Sequence, residues 1–216
     1  MNNPIFITGI GTDVGKTLIA AIVTEALNAD YWKPIQAGYL DGTDAELVSS
    51  LISHPVSKIH PELYRLQTPA SPHIAARKED ININTDLVAA EATVIINTTQ
   101  NRPLIIEGAG GLLVPLGDEV MVADLAKKLQ AKIILVSRNY LGSINHSLLT
   151  AAYCKSQGLN VAGWIFSDDY MHYEEEIVNW SGYPSIASIP KLQQVDKATI
   201  KEQADRIRVS LQEHLL

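Results

Sequence analysis

The run Gly9-Ile10-Gly11-Thr12-Asp13-Val14-Gly15-Lys16-Thr17 follows the apolar stretch Ile5 to Thr8 and passes at once into Leu18-Ile19-Ala20-Ala21, so a strand, a glycine-rich turn and a helix succeed one another. In that setting glycines let backbone N–H groups converge on a polyphosphate, and the helix N-terminus adds its partial positive charge. Lys16 is then placed to reach the β- and γ-phosphates, and Thr17 to set its hydroxyl on Mg²⁺. The pattern is a variant: the strict form has glycine where this chain has Ile10, and the glycines stand at 9 and 11. A dinucleotide-binding reading of Gly9, Gly11 and Gly15 needs an acid ending the second strand to hold a ribose. That strand ends Lys33-Pro34-Ile35-Gln36, with Asp30 before it.

Short β-rich runs recur along the chain, each followed by a loop and a stretch of helical spacing, which is the signature of βαβ units around a parallel sheet. The expected strands are Ile5 to Thr8, Tyr31 to Ile35, a short one at Leu63 to Leu66, Leu104 to Glu107, Ile133 to Ser137, Val161 to Phe166 and Ser185 to Ile189. Between them, Leu18, Ile22 and Leu27 share a helix face, as do Val122, Leu125 and Leu129, then Leu148, Leu149 and Ala152, and finally Ile200, Ala204, Ile207 and Leu211. Pro55, Pro61, Pro69 and Pro72 make Pro55 to Asn84 an irregular excursion. No repeat or linker divides the chain, so the expectation is an α/β fold: one domain over residues 1–216, a single doubly wound, mostly parallel sheet flanked by helices.

Seventeen Lys and Arg against 24 Asp and Glu leave a formal charge of -7, which argues against nucleic acid or an anionic bilayer as partner. The lone Cys154 can form no internal disulfide, and Met1-Asn2-Asn3-Pro4 has neither the basic nor the apolar region of a secretion signal. Apolar runs such as Ile133 to Val136 fall far short of the ~20 residues that cross a bilayer, so a cytoplasmic location is expected. The six histidines lack zinc-ligand spacing.

Strand ends at the carboxyl edge of a parallel sheet face the ligand crevice, which draws attention to three side chains. Glu107 closes Leu104-Ile105-Ile106 and opens Gly108-Ala109-Gly110-Gly111, where a carboxylate can meet a metal; a solvated strand-end acid is the alternative. Asp44, in Gly42-Thr43-Asp44-Ala45-Glu46, suits a site or simply a helix start. Lys33, before Pro34, could stabilise charge growing on a transferred phosphoryl group or lie in solvent. Leu141-Gly142-Ser143-Ile144-Asn145-His146 begins a helix after a strand, and its free N–H groups suit a carboxylate, although a plain Gly-Ser helix start reads the same.

In order, Gly11 to Thr17, Trp32-Lys33-Pro34-Ile35-Gln36-Ala37-Gly38, Thr43-Asp44-Ala45, Ser71-Pro72-His73, Ile106 to Gly111, Leu141 to His146 and Ala162-Gly163-Trp164 resemble the dethiobiotin synthetases, across nearly the whole chain. The resemblance implies a P-loop NTPase-like fold and ATP- and Mg²⁺-dependent closure of a ureido ring on 7,8-diaminononanoate with CO₂. By the family pattern Thr17, Asp44 and Glu107 match metal positions, and Lys33, with Lys16, matches catalytic ones. Thr12, Asp13, Val14, Gly15, Lys16 and Thr17 match nucleotide contacts, as do Glu107, Gly108, Ala109 and Gly110. Thr12, Lys33 and Ala37 fall on the substrate side, and Gly142, Ser143, Ile144 and Asn145 match a substrate-carboxylate segment that acts across a subunit boundary, implying a homodimer.

Two departures stand out. The family commonly has Ser or Thr where this chain has Ala37, and an Asn-Asp pair at the adenine where it has Ser167-Asp168; Pro190, Lys191 and Leu192 resemble the other adenine-side loop. Two rival readings remain: another ATP-dependent, amide-forming synthetase of the same superfamily, and a ParA- or MinD-like ATPase switch. Such switches carry a signature lysine where this chain has Gly11. A membrane anchor at the C-terminus would be one-sidedly basic, whereas Lys201, Arg206 and Arg208 are balanced by Glu202, Asp205 and Glu213.

Overall fold

The computed structural model describes residues 3–99 and 102–215, so Met1 and Asn2 of the N-terminal reading lie outside it. Strand β1 (Ile5–Gly9) feeds α1 (Lys16–Leu27), followed by β2 (Asp30–Trp32), β3 (Ile35–Ala37), α2 (Asp44–Leu51), β4 (Ile59–His60), β5 (Tyr64–Leu66), α3 (Pro72–Lys78) and α4 (Thr85–Thr98). The second half comprises β6 (Leu104–Gly111), α5 (Val122–Lys128), β7 (Lys132–Arg138), α6 (Ser143–Gln157), β8 (Val161–Ser167), α7 (Glu174–Ser181), β9 (Ser185–Ile189) and α8 (Lys197–Leu215). Seven strands form one sheet in the order β4-β2-β6-β1-β7-β8-β9, every pairing parallel, and β3 pairs with β5 in a small second sheet.

Alternation along β1 shows how the sheet is covered on both faces. Ile5 and Ile7 point to one core, with Ile19 and Ile22 of α1 and Ile200, Ile207 and Leu211 of α8; Phe6 points to the other, with Val88, Val122, Ala151 and Ile177. The apolar stripe of α8 is thus buried against the protein, and each fully buried Ile or Leu contributes about 1.5–3 kcal/mol. Among the described residues, no helix is long and apolar enough to cross a membrane.

Four expectations are corrected. Tyr31 to Ile35 is not one strand: Pro34 has no N–H for the ladder, and its carbonyl accepts instead from Leu63 N (3.0 Å) and Tyr64 N (2.9 Å), moving the chain from the main sheet to the β3–β5 pair. Glu107 does not end its strand; β6 runs on to Gly111, which pairs with Gly9, and a Cβ at Gly111 would stand 3.1 Å from the Gly9 carbonyl oxygen. The buried face of α6 is Ser143, Ser147, Ala151 and Cys154, not Leu148, Leu149 and Ala152; small side chains bring the helix onto the sheet, where Ser147 Oγ meets Ser137 Oγ at 2.9 Å and Leu149 is left 61% exposed. The proline-rich excursion also contributes β4, the edge strand of the main sheet. Buried Asp30 holds that edge, accepting from Lys58 N (3.0 Å) and Arg102 Nε (2.8 Å) and contacting His60 Nε2 at 3.1 Å.

Candidate functional site

The phosphate loop leaves the sheet at its centre and turns into α1 at Gly15, whose φ of +89° is a left-handed conformation that a side chain would strain. Asp13 is also left-handed, with φ +56°. Val14 packs into the core, so that residue can meet a nucleotide only through its backbone. Lys16 is folded over the loop, its Nζ donating to the Gly11 carbonyl at 2.7 Å. Burial holds its pKa below the usual lysine value, partly opposed by Glu107.

Four neighbouring side chains gather beside the loop. Register places Tyr31 of β2 opposite Ile105 of β6, so Tyr31, Ile105 and Glu107 share the sheet face that α1 covers, and Lys33 follows directly on the end of β2. Thr17, in the first turn of α1, brings its Oγ1 2.9 Å from Glu107 Oε1 and 2.9 Å from Asp44 Oδ1. The Lys33 ammonium is paired with Asp44 and lies 3.2 Å from Glu107 Oε1. Both Lys33 (6% exposed) and Glu107 (1%) are buried. Burial alone would lower the Lys33 pKa, but the Glu107 and Asp44 carboxylates outweigh it and hold the group above the usual value. Burial acts to raise the Asp44 pKa, and Lys33 outweighs it, holding the carboxyl below its ordinary range.

Asp44 is not the cap of α2. Thr43 fills that role, its side chain accepting from Glu46 N at 3.1 Å while Glu46 Oε2 accepts from Thr43 N at 2.8 Å, which leaves Asp44 turned toward Thr17 and Lys33. Gln36 ties this helix start to β3: its Oε1 accepts from Asp44 N at 3.4 Å and its Nε2 donates to the Gly38 carbonyl at 2.8 Å.

These groups open into a cavity of about 700 Å³. Thr12, Asp13, Gly15, Lys16 and Thr17 line it, as do Lys33, Ala37, Asp44, Glu107, Ala109 and Gly110. Gly108 does not; it is pressed against Phe6, where a Cβ would stand 2.7 Å from the ring. Ser167 and Asp168 lie at the end of β8, beside Gly15 but outside the cavity: a Cβ on Gly15 would be 2.8 Å from Ser167 Oγ, and Asp168 Oδ2 is 3.5 Å from Arg138 Nε. Pro190, Lys191 and Leu192 follow β9 and also lie outside the cavity. Gly142, Ser143, Ile144 and Asn145 begin α6 away from the cavity of their own chain, with Ser143 Oγ 2.7 Å from Tyr173 OH.

Sequence reasoning missed Tyr31, whose hydroxyl donates to Glu107 Oε2 at 2.7 Å, because a tyrosine in an apolar run reads as strand core. The cavity wall at Pro69, Ala70, Ser71 and Pro72 was signalled only by the Ser71-Pro72-His73 motif.

The donor set fits a small hard cation. Three oxygens, from Thr17, Asp44 and Glu107, converge with a single hydroxyl proton among them, so Thr17 can donate to only one carboxylate at a time. Oxygen-only donors of this kind suit Mg²⁺.

Comparison with known proteins bears on which P-loop chemistry this is. A family profile described as "AAA domain" matches residues 3–199. A curated protein of Cytophaga hutchinsonii, named ATP-dependent dethiobiotin synthetase BioD, is 43% identical over 203 residues, 94% of this chain and 95% of that protein. One of the same name from Christiangramia forsetii is 43% identical, covering 95% of this chain and 96% of the relative. The chain belongs to the dethiobiotin synthetase family. Among solved structures, the MinD cell division protein of Aquifex aeolicus superposes with a TM-score of 0.61 at 16% identity, covering 99% of this chain and 96% of that one. At that identity the likeness to MinD shows the fold of this dethiobiotin synthetase family member alone.

Proposed function

We propose that the protein is an ATP-dependent dethiobiotin synthetase that closes a ureido ring on 7,8-diaminononanoate with CO₂. The observation that carries this reading is the meeting of Lys33, Asp44, Glu107 and Thr17 beside the phosphate loop, in a chain 43% identical to named members of the family. A carbamate on one substrate amine is a weak electrophile until its oxygen takes the γ-phosphoryl group of ATP; the second amine then attacks the carbonyl carbon, and phosphate leaves as the ring closes. The site must hold two anions together, and Lys16 and Lys33 offset their repulsion. No covalent link to the enzyme is needed.

Thr17, Asp44 and Glu107 would hold Mg²⁺, which when bound supplies positive charge to the β- and γ-phosphate oxygens. Sheet order supports an orientation for the nucleotide. The reactive acids and Lys33 come from the β2 and β6 side of the central loop, so the base belongs on the opposite side, at the ends of β8 and β9, with Ser167, Asp168 and Pro190 to Leu192. Thr12, Lys33 and Ala37 take the substrate side; Ala37 brings no hydroxyl, whereas Ser71 brings one to the same cavity.

The chain is read as one domain acting as a cytoplasmic homodimer. A second cleft of about 370 Å³ runs between the back of the phosphate loop and α6, touching Leu113 and Leu149, which are 58% and 61% exposed; nearby in sequence, Leu141 is 92% exposed. A second copy seated there would cover this apolar surface and could offer its Gly142 to Asn145 segment to the substrate carboxylate. The test is an assay with 7,8-diaminononanoate, bicarbonate, Mg²⁺ and ATP, measuring phosphate and ring-closed product together. One phosphate per ring is expected, and ATP hydrolysis without a ring would overturn the reading.

A further inference from the structure

We propose that Tyr31 is a positioning residue for phosphoryl transfer: its hydroxyl holds Glu107 Oε2 within the sheet, so that Oε1 alone is presented to Thr17 and Lys33. The inference deepens the reading above and rests on its assignment of Glu107 to the metal site.

The two oxygens of Glu107 have divided duties. Oε2 accepts from Tyr31 OH at 2.7 Å, and among the described residues no other donor reaches it. Oε1 faces Thr17 Oγ1 at 2.9 Å and Lys33 Nζ at 3.2 Å. Both partners are buried, Tyr31 fully and Glu107 to within 1%. A carboxylate oxygen sealed in such a place must find a donor, and without one the group turns until it does. Turning Glu107 would withdraw Oε1 from the cavity.

Geometry makes Tyr31 suited to the task. Tyr31 is opposite Ile105, so Glu107 is its diagonal neighbour on the next strand, within reach of a long aromatic side chain. A phenol brings one proton and no charge, so it fixes the carboxylate without adding a third cation beside Lys16 and Lys33. Tyr31 does not line the cavity, and its hydroxyl donates to Glu107, so it acts through Glu107.

The experiment measures the affinity of a non-hydrolysable ATP analogue with and without saturating Mg²⁺, together with kcat, for the parent protein, Y31F and E107Q. Y31F keeps the ring and its packing, so metal-free binding should stay within about twofold, while the Mg²⁺-dependent gain in affinity shrinks about tenfold and kcat falls similarly. If Y31F retains the full Mg²⁺ gain and kcat while E107Q loses them, the inference fails and the role of Glu107 stands. If E107Q also retains the gain, it is the reading of Glu107 that fails. Should Y31F alone not fold, Y31F/E107Q removes the buried carboxylate with its donor and is compared with E107Q. Equal Mg²⁺ gains in those two support action through Glu107, and a further loss in the double variant contradicts it.

Discussion

Lys33, just past the end of β2, and Glu107 of the neighbouring β6 are both buried with Nζ 3.2 Å from Oε1, the same carboxylate oxygen that Thr17 Oγ1 meets at 2.9 Å. The Asp44 carboxylate is bound to the same ammonium. Lys33 and Lys16 together balance the two carboxylates, so an entering triphosphate brings negative charge that needs a further cation. This is the electrostatic reason for reading the cluster as half of a site completed by a divalent ion.

Replacing Lys33 by Ala should lower kcat about 100-fold or more, the usual effect of removing one preorganised charge from a developing anion. ATP affinity should change far less. Steady-state kinetics with nucleotide binding measured separately checks this, and an effect confined to ATP binding would give Lys33 a different role.

Lys16→Ala should abolish nucleotide-dependent turnover, because the β- and γ-phosphates lose their side-chain cation. The native pairing of Lys16 with the Gly11 carbonyl is local, so the fold should survive, as circular dichroism would show. Near-normal activity would remove the phosphate-loop assignment.

In the proposed orientation of the nucleotide, Ser167 offers the base fewer hydrogen-bonding groups than an amide would. The parent should therefore discriminate weakly between ATP and GTP, and Ser167→Asn should raise the preference for ATP about 3- to 10-fold, the worth of one added hydrogen bond. Competition assays read the ratio; strong adenine preference in the parent would count against the inference.

Asp30 clamps β4 to the sheet. Burial alone would raise its pKa, but hydrogen bonds from Arg102 and Lys58 N, with His60, outweigh it and hold the carboxyl below its ordinary value. Its contribution is therefore complete above the unfolded value of about 3.9 and is lost as pH falls through the lower folded value. Asp30→Ala should cost about 3 kcal/mol at neutral pH and flatten the acid limb of the stability curve. Denaturant titrations at pH 7 and below pH 4 check both, and an unchanged midpoint would contradict the clamp.

What the sequence discloses depends on whether local chemistry or register decides. The phosphate loop is legible because Gly-Lys-Thr between a strand and a helix has few other uses, and α8 because its apolar spacing is that of a helix lying on a core. Glu107 and Lys33 are legible as polar residues closing apolar runs. Tyr31 is not, since only the pairing of β2 with β6 turns a strand aromatic into a partner of Glu107. The buried face of α6 is hidden for another reason: counting apolar residues favours Leu148 and Leu149, whereas close approach to the sheet selects Ser147 and Ala151. Strand β4 is two residues long and is held by a buried ion cluster, which no hydropathy pattern reveals.

The central claim is that the γ-phosphoryl group passes to a carbamate oxygen beside Lys33. Isotope transfer tests it most directly: a single turnover with 7,8-diaminononanoate, ATP and ¹⁸O-labelled bicarbonate, quenched before the label exchanges with water. The account predicts one labelled oxygen in the released phosphate and one in the ureido carbonyl. Unlabelled phosphate accompanying ring-closed product would contradict it.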